Sequence, residues 1–346
     1  MAAAAADGEQ LTIRKPNHYQ GTTTRDLRTE EVGRYNDLDR GEPMTVWSAQ
    51  SGDDIPKMCS IPQLEPPTVF PLSLRIEEAK DGWVEVSAVD KILRWAEAVG
   101  YSLSEVNVVV GRALIKKLCR TPYNRKDGWK MKLYRFKDTV CLDTDEEHHN
   151  YGPDKFADWG KVFEDVMRTG GKRTPGYACE DVDIRMPRLV KLGALKILTN
   201  SRIAGQMPGH NQDVMKNYVE MKTAAVIESD QQSSKFARYK LRDFWAHCAP
   251  VGIETVYIGH RTRNGDLEDV RKWTMRDIER AGSQWWRPEV MLSFLEELLS
   301  WLLDNTTEGM TYSVTYDGAD FTSPVCLVPE EQSELVRIVR ASFPDE

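Results

Sequence analysis

The sequence predicts an α/β fold of the α+β kind, with mixed β-sheets flanked by helices. Three observations carry that prediction. Short runs such as Val106–Val110, Tyr218–Thr223 and Thr255–Ile258 have the length and two-residue period of strands. Longer stretches such as Trp83–Val99 and Pro288–Leu303 repeat apolar residues at helical spacing. The two kinds mix without strict strand–helix–strand alternation, which disfavours a purely parallel sheet. With 346 residues, 40% hydrophobic content and ten tryptophans, the chain can bury a substantial core.

Taken in order, Met1–Gln10 is an alanine run followed by polar residues, expected as a disordered tail. Residues 11–346 are expected to form one domain. Within it residues 11–66 are polar and turn-rich, punctuated by Pro16, Pro43, Pro56, Pro62 and Pro66, and are expected as an irregular N-terminal layer. Trp83–Val99 presents Val86, Val89, Ile92, Leu93, Trp95, Ala96 and Val99 as a packing face. Val106–Val110 is a short strand, and Ala113–Leu118 continues from it to the turn Thr121-Pro122-Tyr123-Asn124. Trp129–Tyr134 and Thr139–Leu142 read as a hairpin. Asp158–Met167 is a helix, Val182–Ile184 a strand fragment and Ser234–Cys248 a helix. The last helix, Pro288–Leu303, starts with proline in its first turn and has a seam of Val290, Phe294, Leu298 and Trp301.

A net charge of −8 argues against a generally basic nucleic-acid binder, although a local basic groove is compatible with it. The six cysteines (Cys59, Cys119, Cys141, Cys179, Cys248, Cys326) show no C-x-x-C pair and no short Cys–His spacing. They read as reduced thiols of a soluble, intracellular protein. The N-terminus lacks the basic and apolar regions of a signal peptide, and no apolar run approaches a membrane span.

The hexamer Tyr218-Val219-Glu220-Met221-Lys222-Thr223 stands out. On a strand, Tyr218, Glu220 and Lys222 share one face, so an acid and an ammonium lie side by side. They could hold a divalent cation and steady a phosphate oxygen, or form a weak pair on an exposed face. Upstream, Asp181 and Asp183 form another i, i+2 pair, and Glu164 ends Trp159-Gly160-Lys161-Val162-Phe163-Glu164. Glu164, Asp181, Asp183 and Glu220 together would make a hard-oxygen site for Mg²⁺ or Mn²⁺. Arg112 to Lys137 holds ten basic residues against one acid, Asp127, with Tyr123, Trp129, Tyr134 and Phe136 interleaved. Such a segment either tracks a nucleic-acid backbone or forms a solvated hairpin face. Acidic cluster and basic segment together suggest hydrolysis of a phosphodiester or pyrophosphate bond in nucleic acid.

The succession of acid, strand acid and E-x-K is similar to the PD-(D/E)xK nuclease core. More specifically, residues 106–304 resemble the DXO family of RNA 5′-end decapping enzymes, which includes the fungal partner of the nuclear 5′-to-3′ exoribonuclease. Gly111-Arg112 with the segment to Trp129 looks like the family's arginine motif. Trp159 to Glu164 fits its glycine-to-glutamate motif, Asp181-Val182-Asp183 its acid–apolar–Asp motif, and Tyr218 to Thr223 its E-x-K motif. Phe236 to Gly252 and Gly259-His260-Arg261 resemble the remaining two. The chain departs from the pattern at Asp181, where Glu is usual, at His247, where Gln is usual, and at Gly111 and Ala113 around Arg112.

The resemblance implies a metal-dependent hydrolase acting on capped, triphosphate or NAD-capped RNA 5′ ends and leaving a 5′ monophosphate, with 5′-to-3′ exoribonuclease activity as a further expectation. Glu164, Asp181, Asp183, Glu220 and the Met221 carbonyl would ligate Mg²⁺ or Mn²⁺, with Lys222 orienting water or phosphate. Arg112 would hold the terminal phosphates, and the basic hairpin would lead the RNA in. His247 would touch ribose or phosphate as Gln does, or simply pack its helix. Arg261 would clamp phosphate or pair with an acid, and Arg25 matches an early substrate-contacting arginine. The resemblance also implies the nucleus over the cytoplasm and an exoribonuclease partner. The alternative is a catalytically weakened relative that binds RNA or stabilises that exoribonuclease.

Overall fold

A computed structural model describes residues 8–20, 27–36, 45–48, 62–75, 83–84, 87–124, 127–145, 150–151, 155–171, 184–208, 214–318, 323–331 and 333–342. Arg25, Asp181 and Asp183 lie outside these residues, as does most of the expected N-terminal tail.

Residues 11–66, expected as an irregular layer, contribute ordered elements. They follow β1 (Glu9–Thr12) as α1 (Pro16–Tyr19), β2 (Leu27–Glu31), β3 (Gly33–Asn36) and β4 (Thr45–Ser48). Next come β5 (Leu72–Ser73), β6 (Trp83–Val84), α2 (Ala88–Val99) and β7 (Val108–Val110). Ala113–Leu118, expected to continue β7, is instead part of α3 (Arg112–Arg120), with Leu114, Ile115, Leu118 and Cys119 buried. A run such as Leu114-Ile115 fits either period, and the packing of residues three and four apart decides for helix.

The predicted hairpin is present as β8 (Trp129–Phe136) and β9 (Thr139–Thr144), followed by β10 (Asn150–Tyr151) and α4 (Lys155–Arg168). A second hairpin, β11 (Ile184–Leu192) and β12 (Leu195–Arg202), precedes β13 (Gly205–Gln206) and β14 (Tyr218–Ala225). The predicted helix over Ser234–Cys248 begins earlier, as α5 (Asp230–Lys235), and runs through a π-helical turn, Phe236–Leu241, into α6 (Arg242–Cys248). The chain closes with β15 (Thr255–Arg261), β16 (Asp266–Thr274), α7 (Met275–Gly282), α8 (Pro288–Asp304), β17 (Thr311–Tyr316), β18 (Pro324–Glu330) and α9 (Glu334–Ser342).

These strands form a mixed eleven-stranded sheet ordered β1-β18-β17-β8-β9-β7-β12-β11-β3-β4, with β2 also on β11. A five-stranded sheet, β13-β14-β15-β16-β5, lies beside it. β14 and β15 run parallel, pairing Glu220 with Val256 and Lys222 with Ile258. The largest core joins residues of both sheets to α3, α6 and α8. A second core packs α2 and α9 on the other face of the large sheet, and a third packs α4 against the small sheet. β14 is therefore buried on both faces: Tyr218 and Ala224 enter the first of these cores, Val219 and Met221 the third.

No helix among the described residues is long and apolar enough to cross a membrane. α8 is the most deeply packed, with Val290, Phe294 and Leu298 of the predicted seam buried and Trp301 half-buried. Replacing Phe294 by alanine should cost about 3–5 kcal/mol of stability, as for other large buried aromatics. Equilibrium urea unfolding measures this, and a loss below about 1 kcal/mol would show that the α8 seam is not a core contact.

Candidate active site

Glu220 sits in mid-strand on β14 and is only 4% exposed, so its carboxylate is desolvated unless charges compensate it. Three cationic or polar groups do so. Arg112 Nη2 donates to Glu220 Oε2 at 2.6 Å, Lys222 Nζ lies 3.1 Å from Oε1, and His247 Nε2 lies 3.4 Å from Oε2. The Met221 backbone N–H adds a bond to Oε1 at 3.2 Å. Burial alone would raise the carboxyl pKa. Lys222, Arg112 and His247 outweigh it and hold Glu220 well below the usual carboxylate range, so it is ionised at neutral pH.

Each partner reaches Glu220 for a local reason. Lys222 shares the Glu220 face of β14 through the two-residue period. Arg112 is the first residue of α3, and Gly111 before it packs where a Cβ would lie 2.5 Å from Ala88 Cβ. That contact explains why a bulky residue is absent there. The Arg112 fork is engaged by the protein itself: Nε donates to the His247 carbonyl at 2.6 Å and Nη1 to the Arg202 carbonyl at 3.2 Å. Arg112 thus positions Glu220, where a phosphate contact was expected of it.

His247 lies on α6 beside the pair. Burial, Arg112 and Lys222 together push its pKa well below the ordinary histidine value despite Glu220, so the ring is neutral. A neutral ring donating from Nε2 toward Glu220 leaves Nδ1 as an acceptor, and Nδ1 is buried with no hydrogen-bond partner among the described residues. Of the two expectations for His247, packing on its helix is seen here, and its Nε2 faces the carboxylate of Glu220. Cys248 adjoins it, 3.6 Å from Arg112, with its thiol pushed up to about 11 by burial.

Glu164 is held separately. α4 lies on the small sheet through Val162, Phe163, Val166 and Met167. Gly259 of β15 permits the approach, since a Cβ there would lie 2.7 Å from the Phe163 ring. The Glu164 carboxylate accepts from Arg202 Nη1 at 2.8 and 2.7 Å and lies 3.5 Å from Arg168. Arg202 therefore links the two acids, because its carbonyl accepts from Arg112 while its side chain holds Glu164. Nothing in the local sequence around Arg202 signals this role.

A second unforeseen layer lies behind β14. Tyr218 Oη donates to Glu31 Oε2 at 2.7 Å and accepts from Arg34 Nη2 at 2.7 Å. The Arg34 and Arg188 guanidinium carbons lie 5.8 and 5.7 Å from the Tyr218 ring centroid. The N-terminal strands thereby anchor the strand that carries Glu220.

Other expected residues are placed differently. Arg261, expected to clamp phosphate or pair with an acid, lies over Trp159 and Phe156 at 4.5 and 4.8 Å. The described part of the basic hairpin has acidic partners of its own. Along β8, Trp129, Met131 and Leu133 enter the largest core, so Lys130 and Lys132 point to the opposite face. There Lys130 and Lys132 pair with Asp145 at 2.5 and 3.1 Å, and Lys132 also meets Glu330. Trp129 and Tyr134 are buried and offer no stacking surface.

No three His, Cys, Asp or Glu side chains come together as a metal group among the described residues, and Asp181 and Asp183 of the expected set lie outside them. Glu220, a buried and ionised carboxylate, is a hard-oxygen donor of the kind a divalent cation takes.

Arg112→Met should destabilise the protein by about 3–5 kcal/mol, because it leaves Glu220 buried without its guanidinium. Urea unfolding at neutral pH tests this. A cost below about 1 kcal/mol would show that Arg112 does not hold the carboxylate.

A family model described as RAI1-like PD-(D/E)XK nuclease matches residues 57–343. The chain is similar to the decapping nuclease RAI1 of Emericella nidulans, 23% identical over 261 residues covering 69% of this chain and 72% of that protein. Other curated relatives are matched over 60% and 56% of their length. The fold resembles Scheffersomyces stipitis Rai1 in complex with (3′-NADP)⁺ and calcium, with TM-score 0.74, 20% identity and 95% of both chains covered. It also resembles Candida albicans Rai1 in complex with pU5 and Mn²⁺, with TM-score 0.69, 16% identity and 96% of both chains covered. The family model spans most of the chain, and the chain belongs to the RAI1-like PD-(D/E)XK nuclease family.

Proposed function

We propose that the protein is a metal-dependent hydrolase of RNA 5′ ends. The observation that carries this reading is Glu220: a buried, ionised carboxylate on a core strand, with an ammonium two residues on and a neutral imidazole beside it. A purely structural acid at such a depth would be hard to account for, since an apolar residue would be cheaper there. The relatives agree with it, one being named a decapping nuclease and another having been solved with a 5′-phosphorylated oligonucleotide and Mn²⁺.

In this reading Glu164, Asp183 and Glu220 hold Mg²⁺ or Mn²⁺, with the Met221 carbonyl and Asp181 completing the set. When bound, the ion supplies a water of lowered pKa and offsets charge on phosphorus. The chain's own residues do the rest. Lys222, whose side chain is 29% exposed while Glu220 is buried, points its ammonium where a phosphate oxygen or the attacking water can meet it. Arg112 fixes the carboxylate against rotation. His247, whose side chain is 22% exposed, lies beside Glu220, where a ribose or phosphate oxygen would meet it. The substrates are RNAs with incompletely methylated caps, triphosphates or NAD at the 5′ end, and the product is a 5′-monophosphate chain. We place this activity in the nucleus, alongside an exoribonuclease, on the strength of the family resemblance.

One observation favours a second reading, that of a non-catalytic RNA binder. Both described carboxylates already have cationic partners, and Arg202 meets both oxygens of Glu164. In that case the arginines serve as permanent counter-charges.

Incubating the protein with triphosphate, unmethylated-cap and NAD-capped RNAs and Mn²⁺ should release pyrophosphate or the whole cap. Glu220→Gln should abolish this release while leaving the folded protein intact by circular dichroism. Cleavage retained by Glu220→Gln would overturn the hydrolase reading. Asp181→Glu should raise the rate if the shorter side chain is a strained ligand; an unchanged rate would place Asp181 outside the ligand set.

A further inference from the structure

A cavity of about 780 Å³ opens at the opposite ends of α3 and α6 from Glu220. Its lining includes Arg120, Arg238, Arg242 and Arg287 against one acid, Asp127, among the described residues. Tyr123, Tyr239 and Trp285 line it as well, and Tyr239 is 46% exposed. In a chain of net charge −8, four guanidinium groups around one concavity mark a local reversal of sign.

Two of these arginines are incompletely used. Arg242 is 8% exposed, and its Nε is buried with no hydrogen-bond partner among the described residues, as is the Nε of Arg120. The bonds Arg242 does make are long, 3.4 Å to the Tyr123 carbonyl and 3.3 Å to Asp243. Arg238 and Arg242 also lie 5.1 and 5.9 Å from the Tyr239 ring centroid, which holds both guanidinium groups at the cavity wall.

α3 spans the distance from Glu220 to the cavity, with Arg112 at one end and Arg120 at the other. Arg112, Lys116 and Arg120 recur at four-residue spacing and so share one side of that helix. This side runs along α6, with Arg112 bonded to the His247 carbonyl at 2.6 Å and Arg120 to Asp243 at 3.2 Å. Burial lowers the Lys116 pKa, Asp243 opposes that, and Arg120, Lys222 and Arg112 lower it further, as expected of an ammonium midway along a cationic track. From Arg112 to Arg120 the helix rises about 12 Å.

Guanidinium forks and aromatic faces in one concavity suit alternating phosphates and bases. An acidic peptide would satisfy the arginines but not the rings. We propose that this cavity holds a downstream nucleotide of the RNA whose 5′ end lies at Glu220. The inference rests on the RNA 5′-end reading above and adds a second contact point, on the π-helical turn that carries Arg238 and Tyr239.

The test uses the full chain without metal, so that nothing is cleaved, and the double substitution Arg238→Ala/Tyr239→Ala, both at exposed positions. Fluorescence anisotropy measures binding of a 5′-phosphorylated dinucleotide and of an oligonucleotide of about ten nucleotides. The variant should lose about tenfold or more in affinity for the longer RNA, with a shallower salt dependence, and bind the dinucleotide as the wild type does. Equal affinity of variant and wild type for the longer RNA would overturn the proposal. So would displacement of that RNA by a phosphoserine peptide of equal charge as readily as by unlabelled RNA, since stacking would then count for nothing. Wild-type cleavage of triphosphate RNA with Mn²⁺ is scored in parallel. If cleavage is intact and the variant binds normally, only the cavity assignment fails; if the wild type neither cleaves nor binds RNA, the 5′-end reading fails with it.

Discussion

The buried pair between Glu220 and Arg112 is the constraint on which the rest of the site depends. A carboxylate 4% exposed on a strand packed on both faces is tolerable only with a fixed counter-charge. That requirement dictates where α3 begins, because Arg112 must leave the helix at its first turn to reach β14. It also ties α3 to α6 and β12, since the remaining nitrogens of Arg112 hold the carbonyls of His247 and Arg202. Through Arg202 it reaches Glu164 on α4. One guanidinium thus links the elements that carry the two described acids.

Behind this pair stands a second polar layer. Tyr218, two residues before Glu220, is pinned by Glu31 and Arg34 from the N-terminal strands and flanked by the buried Arg188. An N-terminal segment that reads as polar and proline-punctuated therefore helps fix the position of the reactive strand. On the other side, α3 and α6 run side by side from this pair to the arginine-lined cavity.

Much of this was legible in the sequence. The strand period around Glu220 and Lys222 put them on one face, the apolar seam of Pro288–Leu303 marked a buried helix, and Glu164 fell on a predicted helix. What was not legible depends on contacts remote in the chain. The strands over residues 27–48 are short, and β2 and β3 pair with β11, more than a hundred residues away, so no local period announces that partner. Leu114-Ile115 suits strand and helix equally, and only packing chose helix. The lysines of the hairpin looked like a nucleic-acid track because Glu330, which meets Lys132, lies far along the sequence. Arg202 and Arg188 carry no signal at all, since an arginine's burial is decided by its partners.

The departures from the family pattern also gain a physical meaning. Gly111 is required by the close approach of Ala88. His247, in the usual place of Gln, turns its Nε2 edge toward Glu220, and its surroundings hold the ring neutral. In the function we propose, Glu220 is kept ionised in order to ligate a divalent cation. Isothermal titration of the purified protein with Mn²⁺ tests it most directly. The wild type should bind Mn²⁺ saturably, and Glu220→Gln should weaken that binding about tenfold or more. Indistinguishable Mn²⁺ affinity in the two proteins, or none in the wild type, would contradict it and leave Glu220 as a structural ion pair.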